Sequence, residues 1–595
     1  MSSNLLTLAE RSAFTETGRI EEVERLCAAL AAEWPQSLRS FEYGRSAQGR
    51  PMRALIATRL GVLGAQELRA REVPLLMIQG GIHPGESDGK DAGFIALREL
   101  LGGAQDAANP LAHMAILFVP AFNTDGHERV GRWNRPNQNG PAATGWRVTA
   151  QNLNLNRDYA KADTPEMRAM LELIETWCPL ICADLHVTDG ADFEPDVSIQ
   201  VEPINQGDPL LRPSGIELRD RLIERLAAQG SLPLPFYPDL AVPDDPQSGF
   251  VLTVYSPRFS TGYFPQRNRF TVLVETHSWK PYARRVAVTR NCIRDLAELT
   301  AQHGARWLDA AKAADLAACA LGGFELALDY KSGWREPGAA GQGAAASDGA
   351  AAASDGAAAA GDGAQAEWID FRGYAYARTR SEISGTEVTA YDARTPAIWR
   401  VPYRNRVQPA LTVRMPRLGY ILPPAQAADI APRLERHGID VAPLPSDLKL
   451  DGLEQFRATL VSFSPRPFEG RMRALIAGAW EPLAPPVSAL SLFVPIGQPL
   501  ARLIAALLEP QAPDSFAAWG FFNAFFEQKE QLEPYVAELI ARSVLEEQPA
   551  LRAEFERRLE QDAAFRADPA ARFEFFWRHH PSWDERLNCY PILRV

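Results

Sequence analysis

Two hydrophobic rhythms alternate through the first half of the chain. Residues 20–33 place apolar side chains three and four apart among glutamates, the pattern of an amphipathic helix. Segments 41–45 and 52–58 alternate polar and apolar positions and predict strands. Short apolar runs follow at 74–83, 114–120, 180–186 and 270–275, and predict buried strands. Between them, 88–101 and 164–177 carry helical periodicity, the second with Thr164 as cap and Pro165 at its first position. Asn123-Thr-Asp-Gly126 is a turn sequence. Strands that read as apolar runs and alternate with helices predict an α/β fold with a mainly parallel sheet covered on both faces.

The pattern breaks at 337–366, an Ala/Gly-rich tract in which Ala-Ala-Ala-Ser-Asp-Gly-Ala occurs in tandem at 344–350 and 351–357. A segment without large apolar side chains cannot offset its ordering entropy, so a flexible linker or surface insertion is expected. Strands are predicted at 368–376, 387–391, 396–402 and 410–415, a helix at 424–437, and strands at 457–464 and 472–478. These make residues 367–490 a β-rich accessory module. From Pro499 onward the reading is helical, and its aromatics (Trp519, Phe521, Phe522, Phe525, Phe526, Phe573, Phe575, Phe576, Trp577) read as core packing. The expected division is therefore 1–320, 337–366, 367–490 and a helical 491–595.

A length of 595 residues demands two or more domains. The net charge of -12 argues against a nucleic-acid footprint. Without a visible signal sequence or a long apolar stretch, neither secretion nor a membrane span is expected, and a cytoplasmic protein is. The six cysteines form no framework; Cys178 and Cys182 read as buried structural thiols.

The chemistry concentrates at strand ends, where open α/β sheets bind ligands. His83-Pro84-Gly85-Glu86 can aim an imidazole and a carboxylate at one ion, and His186 supplies a third ligand. Structural zinc is usually closed by four protein ligands, whereas His₂Glu leaves a position open. Glu275, ending the run 270–275, is placed to act as base. Asp184 shares a strand face with His186 and serves as an orienting or charge-balancing group. Asn156-Arg157 can hold a carboxylate through an amide and a guanidinium fork. Arg135 offers a second cation for a developing oxyanion.

The ordered set His83-Pro-Gly-Glu86, Asn123-Thr-Asp-Gly126, Arg135, Asn154-Leu-Asn156-Arg157, His186 and Glu275 resembles the zinc carboxypeptidases of the peptidase M14 family. The resemblance covers roughly 40–310; the later region is similar to the long C-terminal extension of a bacterial subgroup. It implies a mixed, mostly parallel sheet flanked by helices, one Zn2+ per chain, and promoted-water hydrolysis of C-terminal residues from peptides with a free carboxylate. By position it makes His83, Glu86 and His186 the zinc ligands and Glu275 the general base. Arg135 becomes the carbonyl-polarising arginine, and Asn156 and Arg157 the carboxylate anchor. The family's mobile tyrosine corresponds to Tyr263 or, second, Tyr255. Where many members have Asp-x-Asn-Arg this chain has Asn154, whose amide makes the supported histidine less basic.

Two other readings share these residues. One is a zinc amidohydrolase or deacylase acting on N-acyl amino acids or cell-wall peptides; the other is an inactive binding module. Arg258, Arg267 and Arg269, ahead of Glu275, are candidates for a side-chain pocket favouring an acidic terminal residue, or for surface salt bridges.

Overall fold

The structure, a computed structural model, describes residues 3–103, 107–333, 367–484 and 486–595. The expected linker 337–366, with its tandem heptapeptide, lies outside the described residues.

The four apolar runs form the strands Leu75–Gly80, Ala115–Val119, Ile181–Val187 and Phe270–Thr276. They are the parallel centre of an eight-stranded sheet. Its order is Leu38–Arg45, Pro51–Ala57, Ala115–Val119, Leu75–Gly80, Ile181–Val187, Phe270–Thr276, Val197–Glu202 and Pro233–Leu234. The first two strands make an antiparallel hairpin, and Val197–Glu202 runs antiparallel to Phe270–Thr276. The sheet is therefore mixed, with parallel pairing where the strands are most apolar.

Central parallel strands need cover on both faces, and two different parts of the chain provide it. On one face Leu55, Leu76, Ile78, Phe118, Ala183 and Val272 share a core with helices Ile20–Glu33, Asp88–Gly102, Arg212–Ala228 and Tyr282–Ala318. On the other, Met52, Ile56, Met77, Leu117 and Cys182 pack beneath helix Pro165–Trp177. The same core continues into Tyr420, Leu434, Phe456, Ile504 and Phe516. The C-terminal region thus shares the core on this face of the sheet with that helix. Thr164 caps Pro165–Trp177 as expected, accepting from the Met167 N–H at 3.1 Å.

Three expectations need correction. Residues 491–595 are not wholly helical: Cys589–Arg594, buried at all six positions, is a strand. It lies between Gly419–Leu422 and Glu454–Phe463 in a six-stranded sheet, so no domain boundary falls at 490. The predicted strands 387–391 and 396–402 are one strand, Glu387–Arg404, hairpinned with Glu367–Arg380. That hairpin pairs with Phe250–Val251, which pairs with Asp239–Leu240, so the accessory region builds onto the N-terminal domain. Third, Asn123 caps a short helix, Thr124–Glu128, in place of a simple turn.

The late aromatics are core, as their spacing suggests. Trp519 and Phe522 are buried with the main body, and Phe565, Phe575 and Phe576 form a cluster among the last helices. All six cysteines are free, with Cys182 buried in the sheet and Cys178 half-buried. Among the described residues no helix is long and apolar enough to cross a membrane.

Candidate metal centre

Two glycines let the chain deliver its first candidate ligands. Gly81, just past strand Leu75–Gly80, has φ +66, and a Cβ there would lie 2.7 Å from His127 Cε1. Gly85 lies against Arg135, whose Cγ would be 2.5 Å from any Cβ. Only glycine fits this turn, which swings His83 and Glu86 over the end of the sheet. His186 enters from strand Ile181–Val187, and Glu275 stands opposite it in the parallel register of Phe270–Thr276.

His83, Glu86 and His186 are buried, with ligand atoms all within 4.8 Å of one another. His83 Nδ1 is 2.9 Å from Glu86 Oε1, and His186 Nδ1 is 2.9 Å from Glu86 Oε2. Behind His83, Nε2 lies 3.2 Å from Asn154 Oδ1. That oxygen only accepts, so Nε2 carries the proton and Nδ1 presents its lone pair to a carboxylate oxygen. With the proton on Nε2, a cation between Nδ1 and Glu86 Oε1, a metal ion or a second imidazole proton, reconciles two acceptors 2.9 Å apart. The donor set therefore fits a metal ion, and one imidazole is already held in the ligating tautomer.

The second histidine is backed by charge. His186 Nε2 is 3.2 Å from Asp184 Oδ2, close enough to pair but without hydrogen-bond geometry. Asp184 is itself fixed by Gln79 Nε2 at 2.8 Å and Ser260 Oγ at 2.5 Å. Burial opposes charge on the His186 imidazole, but Asp184 and Glu86 outweigh it and hold it well above its usual value. For His83 burial dominates, joined by Arg147, and brings the imidazole down to about 3.

Beside the cluster is a cleft of about 210 Å³. Glu275 lines it, and its Oε2 is buried with no hydrogen-bond partner among the described residues. Burial pushes its carboxyl up, with Glu86 and Asp189 adding to the effect against His186 and Arg135, to about 8. A carboxylate so poorly solvated is a strong proton acceptor.

Asn156 and Arg157 line the same cleft from the turn Leu155–Arg157. The Arg157 guanidinium stacks 4.4 Å over the Phe259 ring, and its Nη1 donates to Asn156 O at 2.8 Å. These contacts orient the guanidinium.

The two remaining assignments shift. Arg135 does not line the cleft: Nη1 is 3.1 Å from Glu86 Oε1, Nη2 is 2.9 Å from Asp189 Oδ1, and Nε donates to Gln138 at 3.1 Å. The arginine that shares the cleft with Arg157 is Arg147, with 31% side-chain exposure and 3.6 Å from Glu86 Oε1. Tyr263 is buried away from the cleft, its hydroxyl 2.9 Å from His437 Nδ1 and 3.3 Å from Arg267 Nη1. Tyr255, the second choice, lines the cleft, as do Tyr237 and Asp239. Burial and nearby carboxylates hold both phenols well above their ordinary values, so they remain neutral donors.

Arg147, Asp189 and Tyr237 lie in irregular stretches and Asp239 opens a two-residue strand, where no periodicity or spacing marks a residue as facing a cleft. None of Arg258, Arg267 and Arg269 lines the cleft. Arg258 pairs with Asp514 at 3.0 Å, Arg267 with Glu175 at 2.7 Å and Arg269 with Asp315 at 3.0 Å. His277 does not line the cleft: it stacks 4.0 Å from the Phe193 ring and lies 3.2 Å from Asp192 Oδ1.

Residues 23–191 match the family model described as zinc carboxypeptidase, peptidase M14. Carboxypeptidase 2 of Trichophyton rubrum is 30% identical over 119 residues, which is 20% of this chain and 19% of that protein. Carboxypeptidase 2 of Trichophyton tonsurans is 30% identical over 123 residues, 20% of each. The chain thus spans about 20% of the length of the curated relatives it matches. Among solved structures, a metallo-carboxypeptidase from Burkholderia cenocepacia aligns at 16% identity and TM-score 0.33, over 46% of this chain and 68% of that one. The carboxypeptidase A from Helicoverpa armigera aligns at 15% identity and TM-score 0.36, over 50% and 74%.

Proposed function

From the match of residues 23–191 to the zinc carboxypeptidase family model, we propose that this chain is a metallocarboxypeptidase that removes C-terminal residues from peptides. One zinc ion would be held by His83 Nδ1, Glu86 and His186 Nδ1. The observation that carries the reading is the pair of facing acceptors, His83 Nδ1 and Glu86 Oε1, at the mouth of a cleft that also holds Glu275 and Arg157. Zinc bound there supplies Lewis acidity, which makes water a nucleophile near neutral pH and polarises a carbonyl.

The chain's own groups do the rest. Arg157 and Asn156 receive the substrate's terminal carboxylate, which sets the scissile bond one residue in from the end. Glu275 takes the proton of the attacking water and passes it to the departing amine. Arg147, the partly exposed cation in the cleft, faces the scissile carbonyl and stabilises the charge that develops on its oxygen. Arg135 is a support, keeping Glu86 and Asp189 in place. Tyr255 donates to the bound peptide, the role first expected of Tyr263.

The test is a matched pair of peptides, one with a free and one with an amidated C-terminus, given to zinc-loaded protein. Release of the terminal residue from the free acid alone supports the carboxypeptidase. Equal cleavage of both would turn the reading toward an amidohydrolase, since Arg157 would then have no carboxylate to hold.

A further inference from the structure

The support behind His83 is itself supported from the far end of the chain. Asn154 offers Oδ1 to His83 Nε2 at 3.2 Å and to its own turn, Asn156 N, at 2.9 Å. An amide oxygen carries no net charge, so alone it makes the imidazole a weaker donor than a carboxylate would. The Asn154 backbone N–H, however, donates to Glu469 Oε2 at 2.7 Å. Glu469 is 315 residues away in the chain, on the loop joining strands Glu454–Phe463 and Ala474–Pro482.

The local backbone indicates that Glu469 is held there for a purpose. Phe468 and Arg471 bridge each other, Phe468 N to Arg471 O at 2.9 Å and the return bond at 3.0 Å. The two residues between them, Glu469 and Gly470, have φ of +49 and +76, the signs of a type I′ turn. Glycine, asparagine and aspartate suit such a turn; a glutamate there costs on the order of 1 kcal/mol, and such strain gathers at functional positions. Both shoulders of the turn are fastened. Arg471 grips Asp163 with Nε and Nη2, each at 2.7 Å, and Phe468 stacks on Trp519. The tip is therefore a rigid prong pressed onto the segment 153–163, which holds Asn154 and the carboxylate anchor.

We propose that Glu469 is a positioning residue of the metal centre: its carboxylate, accepting from the Asn154 backbone N–H, fixes the turn that offers Oδ1 to His83 and places a negative charge behind an amide that has none. This rests on the zinc metallocarboxypeptidase reading. It also gives the C-terminal region a second task beyond covering the sheet, since the prong completes the support of His83 from outside the N-terminal domain.

The experiment uses the full chain and the variants E469Q, N154D and N154D/E469Q. Zinc affinity is read by competition with a chromogenic chelator, next to kcat and KM on a free-acid peptide and the melting curve of the metal-free protein. A glutamine side chain at this position can still accept the Asn154 N–H, so E469Q removes charge while keeping the contact. We expect E469Q to bind zinc about tenfold more weakly, the scale of lost outer support, with its metal-free melting curve unchanged. N154D/E469Q, with a carboxylate restored directly on His83, regains affinity. Unchanged zinc affinity in E469Q overturns the inference, as does a double variant no tighter than E469Q. If the unaltered chain binds no zinc, the metallopeptidase reading itself fails; normal binding with indifferent variants removes Glu469 alone.

Discussion

Glu275 and His186 are register partners on adjacent parallel strands, so the proposed base and one proposed ligand stand side by side at the end of the sheet. The pairing fixes their separation through backbone hydrogen bonds instead of loop contacts. Burial, with Glu86 and Asp189 adding to it, holds Glu275 at about 8, and His186 and Arg135 relieve it only in part. Glu275→Gln preserves shape and removes the proton acceptor. It is expected to retain zinc and to lose about 10²–10⁴-fold in kcat, the usual span for a general base. Metal analysis beside steady-state kinetics checks this, and near-normal turnover in the variant would remove Glu275 from the mechanism.

The two arginines make opposite predictions. Arg147 is in the cleft, so Arg147→Ala is expected to lower kcat by about 10²–10³-fold, as loss of one oxyanion donor does, with zinc content unchanged. Arg135 is closed onto Glu86 and Asp189. Arg135→Ala leaves buried Glu86 and half-buried Asp189 less compensated, and its expected effect is weaker zinc binding. If Arg135→Ala kept full zinc yet lost kcat while Arg147→Ala stayed active, the roles would have to be exchanged.

The ease with which the sequence could be read follows the same division. His83, Glu86, His186 and Glu275 sit where apolar runs stop, and a strand end is visible in sequence. Arg135 and Arg147 both lie in irregular chain, and nothing local tells which guanidinium is consumed by Glu86. Tyr263 misled for a related reason. Its partner, His437, is 174 residues later, so the burial of Ser260–Gln266 under the C-terminal region has no local signal. The final strand Cys589–Arg594 was equally hidden, because its neighbours Gly419–Leu422 and Glu454–Phe463 are more than a hundred residues earlier.

Selectivity is expected to run opposite to what the arginines ahead of Glu275 suggest. Arg258, Arg267 and Arg269 are committed to Asp514, Glu175 and Asp315. The cleft presents Asp239 instead, its Oδ2 accepting from Thr253 Oγ1 at 2.8 Å. A terminal lysine or arginine finds a partner there, whereas a terminal aspartate or glutamate meets like charge. A panel of peptides differing only in the last residue should show basic ends preferred. Asp239→Asn should cost the basic substrates about tenfold or more in kcat/KM, a modest loss for one partner of a buried charge pair, and spare those ending in leucine. A panel showing faster release of acidic ends would refute this assignment.

The contact between Tyr263 and His437 carries a pH dependence of stability. His437 Nδ1 accepts from the Tyr263 hydroxyl, and Nε2 donates to Ala160 O at 3.1 Å, so the imidazole is neutral with both nitrogens engaged. Burial, aided by Arg267, Arg433 and Arg436, brings it from 6.5 to about 3. The unfolded chain takes up this proton below 6.5 and the folded one does not, so the stabilisation is complete above 6.5 and declines as pH falls. The decline approaches about 1.4 kcal/mol per pH unit well below the unfolded value and above the folded one. His437→Gln can still accept from Tyr263 but cannot titrate. Denaturant unfolding of both metal-free proteins at pH 7.5, 6 and 5 is expected to show the unaltered chain losing its advantage over the variant by roughly 2 kcal/mol. A difference that stayed constant across those pH values would show that the imidazole titrates no differently in the folded and unfolded chains.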